Sequence, residues 1–295
     1  MYKISNENVI YKMDKNNSPV LTVSSGSEVV FSTKDALNNQ ITSPEQTINE
    51  LDWSQINPAT GPLYIEGAKP GDVLKVVIKK IDIEESGVMA AIPGAGLLGD
   101  KVVDAEVKIV PIENGYAKFN DKISFPVNPM IGVIGVAPPG DGIPCGTPDN
   151  HGGNMDNKLI AAGSTLYLPV FVDGALLAMG DIHAAMGDGE IMVTGIEISG
   201  EVTVEVEVIK GHTIENPILE TDTHYYTIAS HVDLLAAVKM ATEDMLKIIM
   251  KYHDLSFNEA GMLISAIGDT QIAQVVDPLL TARFAVSKEY LENVF

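Results

Sequence analysis

Two short polar segments contain the residue types that could carry out chemistry in this chain of 295 residues. The first, residues 149–156, contains one histidine, two aspartates and two asparagines, and the second, residues 180–190, contains Asp181, His183 and Glu190. Carboxylates and imidazoles are the usual protein ligands of zinc and of related divalent cations. Both segments are rich in glycine, which lets the backbone turn sharply and approach a bound group closely. Together they predict a binding or catalytic site.

The spacing within the second segment favours a metal site. Asp181 and His183 are two residues apart, so on an extended strand both side chains would lie on the same face of the sheet. His151 of the first segment is a further imidazole ligand if the two segments meet. A carboxylate and two imidazoles would form most of a site for zinc or another divalent cation.

The apolar run between the two segments predicts how they meet. Residues 164–172 and 175–179 are typical of two strands, and Asp173-Gly174 between them is a strong signal for a two-residue hairpin turn. A hairpin brings its outer ends together, so we expect His151 and Asp156 to face Asp181 and His183.

Several strings in the sequence resemble one known family. NHGGNMD, STLYLPVFVDGALLAMGDIHAAMGDGE and, upstream, TGPLYIEGAKPGD are similar to signature segments of the acetamidase/formamidase family, and GDTQIAQVVDP extends the resemblance towards the end of the chain. The resemblance implies hydrolysis of a short aliphatic amide to a carboxylate and ammonia, and it implies a homodimer. It also draws attention to Asp35, which corresponds to an early aspartate of the family, and to Glu66 at the end of a short strand.

Amide hydrolysis suggests a role for each of these residues. A divalent metal, zinc by preference with calcium as an alternative, would lower the pKa of a bound water and polarise the carbonyl. The predicted metal ligands are Asp35, His151, Asp181 and His183. Glu66 or Glu190 would transfer the proton, because burial raises a carboxyl pKa towards the useful range. Asn150 and Asn154 would bind the small neutral amide.

Other chemistries are open at this point. Cys145 is a rival nucleophile, although no neighbouring lysine or histidine at fixed spacing would activate it. A cupin-like metal enzyme would also gather histidine and glutamate inside a β-barrel. A non-catalytic module that binds calcium or sugar would use the same Asp, Asn and Gly loops. The GAGLLG string at residues 94–99 matches a dinucleotide-binding pattern only superficially, because a strand rather than a helix is predicted after it.

Composition limits the partners and the location. Forty acidic residues against nineteen basic ones give a formal net charge of −21, which disfavours nucleic acid and anionic membranes as partners. No apolar stretch approaches the ~20 residues of a membrane span, and the N-terminus lacks the apolar region of a signal peptide. A single cysteine fits a reducing compartment. We therefore expect a cytoplasmic protein.

The remaining pattern predicts a mainly β fold. Short alternating runs at close spacing, among them residues 72–83, 191–198 and 202–209, favour an antiparallel β-sandwich or barrel-like body over residues 1–210. Residues 211–295 are predicted as a smaller α+β part. Its helices are expected at 232–251, and at 257–267 after the capping signature Ser256-x-x-Glu259.

Overall fold

The structure is a computed structural model that describes residues 1–292 and 294–295, and most of its regular structure is β-strand. The strands are β1 (Tyr2–Ile4), β2 (Val9–Ile10), β3 (Lys12–Met13), β4 (Leu21–Ser24), β5 (Ser27–Thr33), β6 (Ala59–Glu66), β7 (Val73–Ile83), β8 (Ser86–Ala91), β9 (Glu106–Glu113), β10 (Tyr116–Lys118), β11 (Ser124–Pro126), β12 (Met130–Gly135), β13 (Ile143–Pro144), β14 (Gly152–Asn154), β15 (Thr165–Pro169), β16 (Leu177–His183), β17 (Glu197–Ile198), β18 (Gly200–Ile209), β19 (Ile218–Glu220), β20 (His224–His231), β21 (Gly268–Gln274) and β22 (Leu280–Ser287). The helices are α1 (Leu234–His253) and α2 (Phe257–Ile267), with 3-10 turns at Ile48–Glu50, Trp53–Gln55 and Gly99–Lys101.

A nine-stranded sheet forms one layer, in the order β1-β5-β18-β7-β15-β19-β20-β22-β21. Its long strand β18 pairs in antiparallel fashion with β5 on one side and β7 on the other. Val202, Val204 and Val206 of β18 are fully buried, whereas Glu205 and Glu207 between and beyond them reach solvent. This alternation is typical of a strand with one wet face, and it confirms the pattern that the sequence predicts.

An eleven-stranded sheet forms the other layer. Its main path is β11-β10-β9-β8-β17-β16-β12-β14, and β6 pairs with β16 while carrying β2 and β4. Phe31 and Leu74 of the first sheet share one buried apolar cluster with Leu63 and Ile131 of the second. The two sheets therefore enclose a common core, and the prediction of a mainly β, sandwich-like body with a small helical part is confirmed.

The predicted hairpin at Asp173-Gly174 is wrong. The strand before it, β15, lies in the nine-stranded sheet between β7 and β19, whereas the strand after it, β16, lies in the eleven-stranded sheet. Residues 173–176 form a turn that crosses between the sheets, with positive φ at Gly174, Ala175 and Leu176. Strand β15 is paired on both sides by β7 and β19, and β16 is paired by β12 and β6. Neither strand is therefore free to pair with the other across the turn.

The two polar segments nevertheless approach one another, by a different route. β14, which lies within the first segment, pairs with β12, and β12 pairs with β16 of the second segment. The central strand β12, rather than a hairpin, connects them. All six residues of β12 are buried, so this junction lies deep in the sheet.

The C-terminal part contains both predicted helices: α2 has the predicted bounds, whereas α1 begins and ends two residues later than predicted. Asp233 caps α1, and Ser256 and Glu259 form a complete capping box at α2. Helix α1 packs on β20 and β22, which extend the nine-stranded sheet through β19, and α2 contacts β21 and β22. The division into two units at about residue 210 stays a prediction, and the sheet runs across it.

One further strand prediction is wrong. Of residues 191–198 only the last two, β17, are extended in the sheet, and the preceding residues form a loop in which Val193 has φ of 72°. Gly195 in that loop packs against the ring of His183, so the segment wraps around the site instead of pairing along its length. Neither of the two helices within the described residues is long and apolar enough for a bilayer crossing.

Candidate active site

Asp181 and His183 lie near the end of β16, at the centre of the eleven-stranded sheet. His183 is opposite Met130 of β12 on one side and opposite Glu197 of β17 on the other. Every residue of β16 is buried. The sheet therefore holds an imidazole and two carboxylates together and removes them from water.

The backbone at Asp181 departs from a regular strand. Its φ is 53°, in the left-handed region that aspartate tolerates better than most residues. The side chains still meet as the D-x-H spacing predicts, with Asp181 Oδ1 3.2 Å from His183 Nε2. On the neighbouring strand, a Cβ at Gly132 would lie 2.5 Å from Asp156 Oδ1 and 2.6 Å from Asp181 Oδ2. A glycine at 132 therefore leaves the room that two carboxylates need.

His183 belongs to two groups of ligand-type side chains. In the first, its Nε2 is 3.2 Å from Asp181 Oδ1 and 3.0 Å from Glu197 Oε1. In the second, its Nδ1 is 3.9 Å from Asp156 Oδ1 and its Nε2 is 4.0 Å from Glu190 Oε1. The ligand atoms in each group lie within 4.8 Å of one another, so either group could hold a metal ion.

Burial changes the acidity of this cluster. Four carboxyl groups have a pKa well above the usual value, because they are desolvated and repel one another, and these belong to Asp156, Glu190, Glu197 and Asp277. Burial also disfavours a charged His183, but Glu197 and Asp181 outweigh it and raise the pKa of His183 well above normal. The pKa of Asp181 is lowered because His183 outweighs its burial. We call these six residues the acidic cluster.

The donor atoms of the acidic cluster fit a divalent cation. Both carboxylate oxygens of Asp156, Nδ1 of His183 and Oε2 of Glu197 are buried without a hydrogen-bond donor or acceptor partner. Such unpartnered groups are costly to bury, and the close carboxylates need either shared protons or a positive charge between them. Carboxylate oxygen with one imidazole nitrogen is a donor set that zinc and harder divalent cations accept.

A cavity with a volume of about 450 Å³ leads to the cluster. Its polar lining includes Asn154 and four members of the acidic cluster, Asp181, Glu190, Glu197 and Asp277. Its apolar lining comes from Leu37, Trp53, Ile56, Ile92, Val193, Val276 and two prolines. Of the residues that the sequence predicts for the site, Asp181, Glu190 and Asn154 line this cavity. The buried Oδ1 of Asn154 has no partner and is available to a ligand.

Three other predicted residues lie elsewhere. His151 is fully buried and belongs to neither ligand group, and burial lowers its pKa to about 4. Asp35 is buried, its Oδ1 accepts the backbone N–H of Asn39, and it lines a separate cavity, although burial and the charge of nearby Asp181 both act to raise its pKa. Asn150 is half-buried in the turn that Asp149 stabilises and does not line the site cavity.

Glu66 is not desolvated as the sequence predicts. It lies at the exposed end of β6 and accepts a hydrogen bond from Ser24 Oγ at 2.8 Å. A solvated carboxylate away from the cavity has no access to a buried substrate. Of the two glutamates predicted for proton transfer, Glu190 is therefore the one in position.

Three residues of the acidic cluster, Asp156, Glu197 and Asp277, are missing from the site residues that the sequence predicts. Asp156 lies in the first polar segment, where positional reasoning expects it to face His183, and the structure confirms that approach. Glu197 reaches His183 only because β17 pairs with β16, and Asp277 arrives from a loop almost a hundred residues later in the chain. Sequence spacing carries no signal for such long-range pairings.

Cys145 is unsuited to nucleophilic attack in this structure. Its side chain is buried, and its Sγ lies 3.5 Å from the backbone carbonyl of Ile10. Burial raises its thiol pKa to about 12, so the reactive thiolate is scarce near neutral pH. This weakens the cysteine-nucleophile alternative.

Comparisons with known proteins agree on one family. The family model described as the Acetamidase/Formamidase family matches residues 6–144 and 140–277. A crystal structure of an acetamidase from Bacillus halodurans is 50% identical in sequence, covers 98% of both chains and has a TM-score of 0.96. A structure described as a predicted acetamidase/formamidase from Thermoanaerobacter tengcongensis is also 50% identical, covers 98% of this chain and 96% of that one, and has a TM-score of 0.97.

Curated relatives are more distant. An acetamidase from Mycolicibacterium smegmatis is 28% identical in a match that covers 64% of this chain and 63% of that relative. The chain spans between 55% and 63% of the length of the curated relatives it matches.

Proposed function

Because the chain belongs to the acetamidase/formamidase family, as its motifs predict, we propose that it is an amidase that hydrolyses small neutral aliphatic amides to a carboxylate and ammonia. The observation that carries this proposal is the acidic cluster at the end of a cavity with an apolar lining. Buried carboxyl groups with raised pKa values are suited to exchange protons near neutral pH.

Asp181, His183 and Glu197, which form one of the two ligand groups, would hold a divalent cation between β16 and β17. Their unpartnered buried atoms and mutual repulsion support this assignment. When bound, the cation would supply a Lewis acid that makes water more acidic and polarises the amide carbonyl. Zinc is our first choice because an imidazole takes part. Calcium is the alternative because carboxylate oxygens outnumber nitrogens.

The side chains that face the cavity have separate roles in the proposal. Glu190 takes a proton from the attacking water and gives it to the departing nitrogen, and its raised pKa supports both steps. Asn154 Oδ1 accepts an N–H of the substrate amide and orients it. Overall, one C–O bond forms and the C–N bond breaks, and the water hydrogens end on ammonia and on the acid.

Chelation tests both the reaction and the cation. We expect ammonia release from formamide and acetamide by the protein as purified, loss of that activity after dialysis against a chelator, and recovery with zinc. Full activity in protein shown by elemental analysis to lack metal would contradict the role of a cation. Absence of ammonia release from either amide by the metal-loaded protein would contradict the amidase proposal itself.

The family match weighs against the cupin-like and calcium- or sugar-binding alternatives, because it covers most of the chain. We also propose a cytoplasmic homodimer. The single buried thiol supports a reducing location. Light scattering after size exclusion checks the dimer, and a mass of one chain, 31.5 kDa, would contradict it.

A further inference from the structure

The cavity is larger than formamide or acetamide requires. Both substrates have only a few non-hydrogen atoms, whereas the cavity volume of about 450 Å³ lies in the range of about 300–1,000 Å³ that accepts drug-sized ligands. The remaining space can accept a longer substrate, and the lining residues indicate the chemical class of that substrate.

The charged part of the lining is limited to the acidic cluster. All four carboxylates that line the cavity, those of Asp181, Glu190, Glu197 and Asp277, belong to it. The rest of the lining is uncharged and includes the apolar side chains of Trp53, Ile56, Ile92 and Val193, so a group that extends away from the reacting carbonyl can pack against hydrocarbon. Trp53 is 47% exposed, so part of its ring remains available to a substrate.

We propose that the protein hydrolyses primary amides with uncharged apolar acyl chains longer than acetyl, and prefers them to acetamide. The inference rests on the proposed amidase function and adds the substrate class to it. Each methylene that becomes buried against the wall raises kcat/KM by about fourfold. A carboxylate at the end of the same chain is disfavoured, because it loses its hydration against apolar side chains in a strongly acidic protein.

A chain-length series tests the proposal. Ammonia release is measured from acetamide, butanamide, hexanamide and the monoamide of adipic acid, which matches hexanamide in chain length but ends in a carboxylate. We expect kcat/KM to rise from acetamide to hexanamide, and to be at least tenfold lower for the charged monoamide. Equal or lower kcat/KM for hexanamide than for acetamide overturns this inference and leaves the amidase function intact. If no amide in the series is hydrolysed, both fail.

A wall variant tests the location. Trp53→Ala should lower the hexanamide-to-acetamide ratio of kcat/KM by about tenfold. Tyr116→Ala is the matched control, since Tyr116 is also 47% exposed but lies on β10 away from the cavity. It should keep the wild-type ratio. An unchanged ratio in folded Trp53→Ala, or in Ile92→Ala as a second wall variant, would show that the chain does not occupy this cavity.

A second observation concerns Arg283, the single arginine of the chain. It is 2% exposed and belongs to β22. Its guanidinium donates to Asn157 Oδ1 at 2.8 Å and to Asp188 Oδ2 at 2.8 Å, and its Nε donates to Gln271 at 2.7 Å. Asn157 follows Asp156 directly, and Asp188 lies two residues before Glu190. We infer that Arg283 is a positioning residue. By holding Asn157 and Asp188, it fixes the neighbouring cluster members Asp156 and Glu190 relative to one another.

This role differs from simple stabilisation in what it predicts. Arg283→Met should lower kcat by about 10- to 100-fold with less change in KM, because the planar guanidinium holds both segments at once. Arg283→Lys should recover part of kcat, since an ammonium can reach one of the partners. Asp188→Asn tests the same contact from the other side, and serves if Arg283→Met does not fold.

The control is a buried polar residue without a connection to the site. Thr227 on β20 is 1% exposed and donates to the carbonyl of Ala241, so Thr227→Val should lower the melting temperature but leave kcat unchanged. A folded Arg283 variant, or Asp188→Asn, that lowers the melting temperature in the same way with wild-type kcat would reduce Arg283 to a structural role.

Discussion

Carboxylates of this protein occur in two opposite settings. On the wet face of β18, Glu205 Oε2 lies 2.6 Å from Lys79 and Glu207 Oε2 lies 3.1 Å from Lys75, and all four side chains are substantially exposed. In the acidic cluster, by contrast, five carboxylates are largely removed from water, and four of them have an oxygen within 4.0 Å of a ring nitrogen of His183. Both sets enter the net charge of −21 in the same way. Only in the buried set does desolvation strongly perturb the carboxyl pKa values, as is common in active sites.

The comparison explains why a count of charges says little about the site. Exposed pairs are screened by solvent and contribute little to stability, so they mainly keep the protein soluble. The buried carboxylates are costly to keep, and the fold retains them in positions where a cation or a substrate can compensate. Substitutions should therefore separate the two sets sharply.

The largest effect is expected for His183→Ala. It removes the imidazole that both ligand groups share, and leaves the carboxylates without their basic neighbour. We expect kcat/KM to fall by at least about a thousandfold, with loss of bound metal in elemental analysis. His224→Ala on β20, outside the cluster, should retain both. A metal-loaded, active His183→Ala protein would break the distinction between the two settings.

The second-largest loss of activity is expected for Glu190→Gln. It keeps the size of the side chain but cannot carry the proton, so kcat should fall by about 10²- to 10⁴-fold. The same change at exposed Glu205 should leave steady-state kinetics as in the wild type, although it removes a lysine pair. Wild-type kcat in Glu190→Gln would transfer the proton role to another member of the acidic cluster.

Gly132→Ala should have an intermediate effect. The added methyl would meet Asp156 and Asp181 oxygens at about 2.5 Å and force the carboxylates apart, so activity should fall by about 10- to 100-fold. Crowding should also cost about 1–3 kcal/mol of stability in denaturant unfolding. Gly140→Ala is the control, because a Cβ there meets nothing within 4 Å. If both variants behave alike, the space at Gly132 is not needed by the carboxylates.

The smallest effect is expected for Glu220, whose carboxylate is partly buried and paired with Lys288 and is therefore intermediate between the two settings. Burial alone would raise its pKa, but Lys288 at 2.5 Å and the Tyr167 hydroxyl lower it below the usual value. A lowered carboxyl pKa stabilises the fold above the pKa of the unfolded chain, and this contribution is lost as the pH falls through the lower folded value. Urea unfolding should therefore show Glu220→Gln to be less stable than the wild type at pH 7. The difference should shrink at about pH 3.5, and a difference that grows towards acid would contradict the sign.

Local signals account for the parts of the fold that the sequence predicts well. The capping residues Ser256 and Glu259 act on backbone groups a few positions away, so the start of α2 can be predicted from neighbouring residues. The start of α1 is two residues later than predicted, after its N-cap Asp233. The alternating valines of β18 report one buried face in the same way. The hairpin at Asp173-Gly174 fails because a turn signal gives a change of direction, but not the sheet that each strand joins.

The sequence alone determines the family, the mainly β class, the bounds of α2 and the approach of Asp181 to His183, because these depend on motifs or on contacts within a few residues. Only the tertiary structure decides that Glu197 and Asp277 join them, that Glu66 remains in water, and that His151 lies outside both ligand groups. The physical reason is strand pairing. Which strand lies beside β16 depends on packing across the whole core, and one such neighbour, β17, supplies Glu197.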